Sequence, residues 1–545
     1  MHKKLYLQFK NLYFQSGKIF SSSLSGQYHI SCFVLSCVIA EDDPNVSLKM
    51  VNKCLTYLDN EFKEKKHLHS IDFTIENLCL AHFVCNCVKM KTQLSEFLKK
   101  YASRLERKIS AHATDYYLLR YFNVEYYRHH LRIYVDLHSS VTAHIDKVLE
   151  TEQFLADTFD GNEQIPDLAY HCRNLQILMG VYILNKRADL LVIINNGVRA
   201  LLSYGTEDGR FCFYGRSANL VYGYASLYTA INLIKNKNNY QKLEKMESYF
   251  LNHFVNSERS EIYVSQNGTG DKKRCNFDSY VYHLVYKSFS LSRILLGTHA
   301  KYNAKINIEL KQESEDVINY DPKTGFVAFM SCFGELALNL RGHPNAVIRP
   351  SDKRYLPLNF VSTNFQVPDP KVYYAEARSS DRFLKKIVNK LNNYFLGNLF
   401  KNAFGYCPVY YNHGTFFHIT KYHVERLSKT NFLLTPLQSS VGIGRHPEDL
   451  EKLKCLIEFG EEITLSFRSS KLYSLQFPIF YFEYDRLNIG STSVKFGNGV
   501  KITFNRIIAD VKYNFCKFHT TNGVARRVDL LFADGNSELK IKYKL

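Results

Sequence analysis

From about residue 27 to residue 300 the apolar positions recur every three or four residues, the spacing of helices that bury one face. The clearest run is Phe277, Tyr280, Val281, Leu284, Val285, Ser288, Leu291, Ile294 and Leu295. Similar stripes run through Leu48 to Leu58, Ile75 to Val88, Leu94 to Leu105, Leu168 to Leu184, Leu190 to Leu202 and Leu220 to Ile234. Short polar breaks such as Asn236 to Asn239 separate them. A row of roughly ten or more helices joined by short turns predicts stacked hairpins, either a solenoid or a closed ring. No repeat of about 30 to 45 residues is visible, so the named solenoid classes do not fit.

After about Tyr320 the period shortens. Gly325 to Ala328 and Glu335 to Leu340 read as strands and lead into a turn at Gly342-His343-Pro344. Toward the C-terminus, Ile463 to Phe467, Phe477 to Tyr484, Val494 to Phe496, Val500 to Phe504 and Leu539 to Tyr543 are β-branched and aromatic runs. Gly, Asn and Asp punctuate them, the pattern of a sandwich. One helix, around Phe383 to Phe400, interrupts this half. With 545 residues the chain exceeds what one core serves. The expected class is multidomain α+β: an extension over 1–26, a helical domain over 27–315 and an antiparallel β-sandwich over 316–545.

Charge narrows the partners. A formal net charge of +18 draws polyanions and speeds their capture. No basic run of the length a nucleic-acid tail shows is present, so acidic glycan ranks ahead of nucleic acid. Tyr and Phe number 39 each while Trp is absent, which suits stacking on sugar rings. Thirteen cysteines at irregular spacing argue against a disulfide framework and for a reducing compartment. The apolar run Ile30 to Ala40 is too short to span a bilayer and too deep in the chain for a signal peptide. A cytoplasmic protein with no membrane insertion is therefore expected. No cofactor is expected either. Gly268-Thr269-Gly270-Asp271-Lys272 lacks the ending of a phosphate-binding loop. Cys79, His82, Cys85 and Cys87 spread too far around a helix for a tetrahedral metal site.

The stretch from Glu207 to Tyr224 stands apart: a loop rich in Gly, Arg, Tyr and Asn that runs into an apolar helix. Such a loop can hold an anion at a helix start. Asp208-Gly209-Arg210-Phe211 followed by Tyr222-Gly223 resembles the hyaluronate-lyase signature of Asp-Gly-Ser-Phe, a His, then Tyr-x-x-x-Tyr-Gly. Arg210 replaces the Ser, and Tyr214 falls near the position of the His. Gly325-Phe326-Val327-Ala328 through Leu336 to His343-Pro344-Asn345 resembles the start of a heparinase-type sandwich. Together with the domain order, the chain resembles the polysaccharide lyases of the heparinase II/III and hyaluronate lyase families. That resemblance implies an α/α toroid, incomplete or of five to six hairpins, with a β-sandwich closing one side of its cleft.

It also implies β-elimination at a uronic acid in an anionic polysaccharide or oligosaccharide. The sugar carboxylate must be neutralised, a base must take the adjacent proton, and an acid must protonate the leaving oxygen. For neutralisation the best group is Tyr170-His171-Cys172-Arg173-Asn174, after the Gly161 to Pro166 loop, with Asn174 and His171 foremost. The same two residues can equally cap or satisfy a helix start. Tyr222 is the proton-transfer residue by motif position and Tyr214 the second; an aromatic at helical spacing is also an ordinary core residue. His343 and the pair Asn412-His413 can reach the cleft from the sandwich. Arg173, Arg216, Asn219, Tyr282, His283 and His413 are candidates for substrate binding. Lyases of this type are often exported, against the cytoplasmic expectation. Two further readings remain: a glycoside hydrolase using carboxylates such as Asp167, Asp208 and Asp278, and a glycan-binding protein without chemistry. The oligomeric state is open.

Overall fold

The computed structural model describes most of residues 6–266 and, in the second half, 318–331, 334–341, 361–362, 372–376, 409–412, 415–443, 453–469 and most of 474–544. The predicted helices at Phe277 to Leu295 and Phe383 to Phe400 lie outside the described residues, as does the turn at Gly342-His343-Pro344. The chain divides into two compact units, 1–202 with 220–311 and 203–219 with 312–545. The segment 203–219 therefore belongs with the β-rich unit although it lies between two helices of the first.

The helical unit contains α1 (Gln27–Ala40), α2 (Pro44–Lys63), α3 (Ile71–Val84), α4 (Val88–Lys100), α5 (Thr114–Tyr126), α6 (Ser139–Leu149), α7 (Leu168–Asn185), α8 (Ala188–Tyr204), α9 (Val221–Ile234) and α10 (Tyr240–Phe254). The odd-numbered helices pack in succession, α1 on α3, α3 on α5, α5 on α7 and α7 on α9. Of the even-numbered ones, α2, α4, α6 and α10 pack on the helices just before them. The result is a two-layered arc of helical hairpins. Sequence sets the layers. In α2 the buried positions Met50, Val51, Cys54, Leu55, Leu58 and Phe62 form one stripe and the rest is wet. In α3, by contrast, consecutive residues from Ile75 to His82 are all buried, the pattern of a helix covered on every side. Asp43 starts α2, its carboxylate accepting from the Asn45 amide at 2.8 Å, with Pro44 at the first helical position.

Inner helices covered on every side still carry polar residues, and these are spent between helices. Asn77 of α3 donates to Ser31 of α1 at 3.0 Å, and Asn123 of α5 donates to the Asp72 carbonyl of α3 at 2.9 Å. Arg120 of α5 grips Asp72 through two contacts, at 2.7 and 3.1 Å. Among the described residues, no helix is long and apolar enough to cross a membrane.

Gly197 shows how tightly α8 returns along α7. A Cβ there would meet Leu175 Cδ2 at 2.7 Å and His171 Cε1 at 3.1 Å. Gly197→Ala is therefore expected to destabilise the helical unit by about 1–3 kcal/mol despite its better helix propensity. The check is a lower urea midpoint, followed by helical circular dichroism, with an unchanged slope.

One short hairpin interrupts the helices. β1 (Ala156–Asp160) pairs antiparallel with β2 (Glu163–Pro166), which corrects the expectation of a plain loop over Gly161 to Pro166. A four-residue strand ending in Pro is too brief to register as a periodic pattern. A smaller two-stranded pairing joins β3 (Val255–Asn256) and β4 (Glu261–Ile262).

The β unit is antiparallel throughout. A four-stranded sheet holds β5 (Ile318–Tyr320), β6 (Phe326–Ser331), β7 (Gly334–Asn339) and β8 (Val361–Ser362) in chain order. The large sheet contains β9 (Val372–Glu376), β10 (Val409–Asn412), β11 (Thr415–Arg426), β12 (Asn431–Ile443), β13 (Leu453–Phe459), β14 (Ile463–Ser469) and β15 (Ser474–Phe482). It is completed by β16 (Leu487–Ile489), β17 (Ser493–Phe496), β18 (Lys501–Phe504), β19 (Asp510–Thr520), β20 (Val524–Phe532) and β21 (Leu539–Lys544). Its order is β16-β17-β18-β21-β14-β13-β12-β11-β10-β15-β20-β19-β9.

That sheet curls on itself. Phe504 of β18, near one edge, lies 5.0 Å from Phe532 of β20 near the other and 6.4 Å from Phe477 of β15. The smaller sheet stacks on the same core through Phe329–Phe459 at 5.3 Å and Tyr320–Phe432 at 5.0 Å. Alternation in β13, with Leu453, Cys455, Ile457 and Phe459 inward, is what packs the layers. The helical half followed by a β-sandwich is thus as the periodicity predicts.

Candidate functional site

The start of α7 carries three of the predicted site residues, and all three face the interior. Asp167 caps the helix, accepting from the Ala169 and Tyr170 amides at 2.9 and 3.1 Å. Its carboxylate is buried there, which leaves it no place in a hydrolytic pair. His171 is buried and uses both ring nitrogens. Nδ1 accepts from the Leu155 amide at 2.9 Å, so Nε2 carries the proton and donates to the Gly197 carbonyl at 3.0 Å. This corrects the expectation of a catalytic His171: the ring is a neutral cross-brace between α7, α8 and the segment before β1. Arg173 is buried against Glu76 of α3 at 2.7 Å and also donates to Gln176. Its guanidinium is committed to that contact, which corrects its assignment to substrate.

Asn174 is fully buried and donates to the Ala156 carbonyl at 3.0 Å. Its Oδ1 has no hydrogen-bond partner among the described residues. With its amide nitrogen donating to that carbonyl and its side chain out of reach of solvent, Asn174 is a brace of β1, which corrects its assignment to carboxylate neutralisation.

Burial drives the His171 pKa from its ordinary 6.5 down to about 4. His82 and His144 are lowered to about 4 as well, each chiefly by burial, and His29 to about 3. Unfolded chains take up these protons near pH 6.5, whereas the folded unit refuses them until about pH 4. Between those values the unfolded state binds more protons, so stability falls as pH falls and is flat above about pH 7. Thermal midpoints recorded from pH 7.5 to 4.5 are expected to drop through that window. His171→Gln should flatten part of the slope.

The loop that resembles the lyase signature is closed on itself. Asp208 accepts from Thr206 Oγ1 at 2.6 Å and pairs with Arg210 at 2.6 Å. Gly209 takes a left-handed φ of 93°, which lets its amide reach the Thr206 carbonyl at 3.0 Å. Asp208 and Arg210 therefore neutralise each other inside one turn, and Asp208 is not a free carboxylate for hydrolysis. Phe211 and Tyr214 are buried. The Tyr214 ring meets Phe326 of β6 edge-on, with centroids 5.2 Å apart. Tyr204 lies 6.1 Å from the same ring. Tyr214 is core of the β unit, which corrects its assignment to proton transfer.

Tyr222 differs from all of these. It sits on the first turn of α9, half-buried, while Val221, Gly223 and Tyr224 around it are buried. Helix α9 packs on α7, the helix that carries Asn174. Arg216, Asn219, Asp278, Tyr282, His283, His343 and His413 lie outside the described residues.

Sequence reasoning missed the polar interior behind this site. Glu76 and Gln176 line a cavity of about 20 Å³ with Tyr126, Phe122 and Gly180, room for one water molecule. Only the placement of charged residues inside apolar helices, Asp72 and Glu76 in α3 and Arg120 in α5, could have flagged it. Cys79, from the cluster set aside as a metal site, is buried, and Cys85 Sγ reaches the Cys87 carbonyl at 3.5 Å. Among the described residues, no group of His, Cys, Asp and Glu is arranged to hold a metal.

No family model matches the sequence. No curated protein matches it either. Several solved structures are similar in fold at low identity. A heparan sulfate lyase mutant from Pedobacter heparinus is 10% identical with a TM-score of 0.43, over 94% of this chain and 76% of that one. A structure described as heparinase III is 9% identical with a TM-score of 0.34, over 99% of this chain and 88% of that one. The chondroitin AC lyase of Streptomyces coelicolor A3, in complex with chondroitin sulphate, is 7% identical with a TM-score of 0.46, over 100% of this chain and 79% of that one.

Proposed function

We propose that this chain is a polysaccharide lyase that cleaves a uronate-containing anionic polysaccharide by β-elimination. The observation that carries the reading is Tyr222. It is a phenol at the motif position Tyr-Gly, only partly buried on the first turn of an inner-layer helix whose neighbouring positions are buried. A phenol there can take the proton beside the sugar carboxylate or return one to the leaving oxygen. The net charge of +18 favours capture of a polyanion over a neutral chain.

The test is incubation with acidic polysaccharides, chondroitin sulfate and heparan sulfate first, followed by ultraviolet absorbance of the unsaturated uronate. Absorbance growth is the expected result. New reducing ends without absorbance indicate hydrolysis, and retention on an immobilised glycan without new ends indicates binding alone; either outcome defeats the lyase reading.

A further inference from the structure

At the C-terminal ends of α3 and α5 a second cluster of polar aromatic groups forms, from residues the proposed lyase chemistry does not use. Helix α5 ends in a π-helical turn, Tyr127–Leu131, and the chain then leaves through Arg132 in a left-handed conformation with φ 57°. Single π-turns of this kind often sit at functional positions. This one presents His130 flat against Tyr126, with centroids 4.8 Å apart and planes 22° apart. The same imidazole meets Phe83 of α3 edge-on at 5.1 Å. Beneath it the Tyr126 hydroxyl lies 2.7 Å from His82 Nδ1. Phe83 and Tyr126 also line the small interior cavity.

The groups around these rings are cations. Lys91 and Lys99 of α4 act on His82, and Lys91, His129 and Arg132 act on His130. Both imidazoles are lowered by burial first and by these charges second, His82 to about 4. The one acid at this turn is Glu125, and it is committed: it holds Arg128 at 2.6 Å and Asn185 at 3.1 Å, with His129 at 3.6 Å. Among the described residues, the His130 ring nitrogens and the side chains of Lys91, Lys99 and Arg132 make no hydrogen bond or ion pair.

Cations near a helix C-terminus complement its dipole, and that explains Arg128 and His129. It does not explain an exposed imidazole held against two aromatic rings beside exposed cations that no acid among the described residues pairs. Exposed cations gathered beside a neutral imidazole favour an anion that approaches them from solvent.

We infer that His130, Lys91 and Arg132, with His82 and Tyr126 behind them, form a binding site for an oxyanion, a sulfate or carboxylate group. The group arrives either as a free ion or on a sugar. Because an anion there favours the protonated imidazoles, binding strengthens as pH falls from 7 toward 5, and the imidazoles take up protons when it binds.

The whole chain, labelled with ¹³C-histidine, is titrated with pH in sodium sulfate and in sodium chloride of equal ionic strength. A third arm uses a chondroitin sulfate tetrasaccharide. The expected result is an upward move of the His130 and His82 midpoints with sulfate, with the tetrasaccharide, or with both. Response to the tetrasaccharide at concentrations where sulfate is silent assigns the site to sugar-borne groups; the reverse assigns it to a free ion. Lys91→Ala and Arg132→Gly are both exposed, and Gly suits the left-handed position, so both variants fold. Each is expected to weaken binding about tenfold. Midpoints that match those in chloride for both probes overturn the inference, as does undiminished binding by the Lys91→Ala, Arg132→Gly double variant. Neither result touches Tyr222, whose test reads absorbance on a different set of residues.

Discussion

Tyr222→Phe is expected to lower the rate of unsaturated-uronate formation by about a hundred- to ten-thousandfold while leaving substrate binding and stability nearly unchanged. The magnitude is that of a positioned acid or base, which corresponds to about 3–5.5 kcal/mol of barrier. Removing one hydroxyl from a half-buried ring keeps the packing of the first turn of α9, where Val221 and Tyr224 are the buried neighbours. A loss of turnover with unchanged circular dichroism and an unchanged thermal midpoint therefore isolates the phenol. Tyr214→Phe supplies the contrast. That ring is core, edge-on to Phe326, so its loss is expected to act on the stability of the β unit and not on chemistry. Activity retained by Tyr222→Phe would remove the residue from the mechanism and with it the main support for a lyase.

The division into a helical and a β half was legible because period is a property of the chain itself. Outer helices such as α2, with one buried stripe, announced themselves. Inner helices did so less well: α3 and α5 are covered on nearly every side, and a helix without a wet face has no stripe to read. The site was less legible still, and for a related reason. His, Arg and Asn at a helix start look alike whether they face a ligand or a neighbouring helix. Only coordinates reveal that His171 spends both nitrogens on Leu155 and Gly197. The Asp208 to Phe211 segment misleads similarly. Asp-Gly-Arg is good turn chemistry, and here the Asp and Arg close the turn on each other. Tyr222 keeps a partly exposed edge because of its place on α9 and not because of the motif around it.

The same ambiguity between ligand and brace sets the largest stability effect in the helical unit. Arg120 and Asp72 are about 5% and 6% exposed at their side chains. The guanidinium meets the carboxylate in a two-point contact and also donates to the Leu105 and Arg107 carbonyls, at 2.6 and 2.5 Å. One side chain therefore fastens α5 to α3 and to the chain after α4. Arg120→Met leaves a buried carboxylate and two carbonyls without donors, and a loss of about 3–5 kcal/mol is expected. Asp72→Leu alone strands the guanidinium and should cost a similar amount. The double variant decides between charge and shape. Replacing both partners of a buried pair by apolar groups is often close to neutral, so much of the loss should return, short of what the two carbonyls still lack. Urea denaturation followed by helical circular dichroism measures all three variants. Costs that simply add in the double variant would mean that the two residues do not act as a pair, and that the inner layer is held by its apolar packing alone.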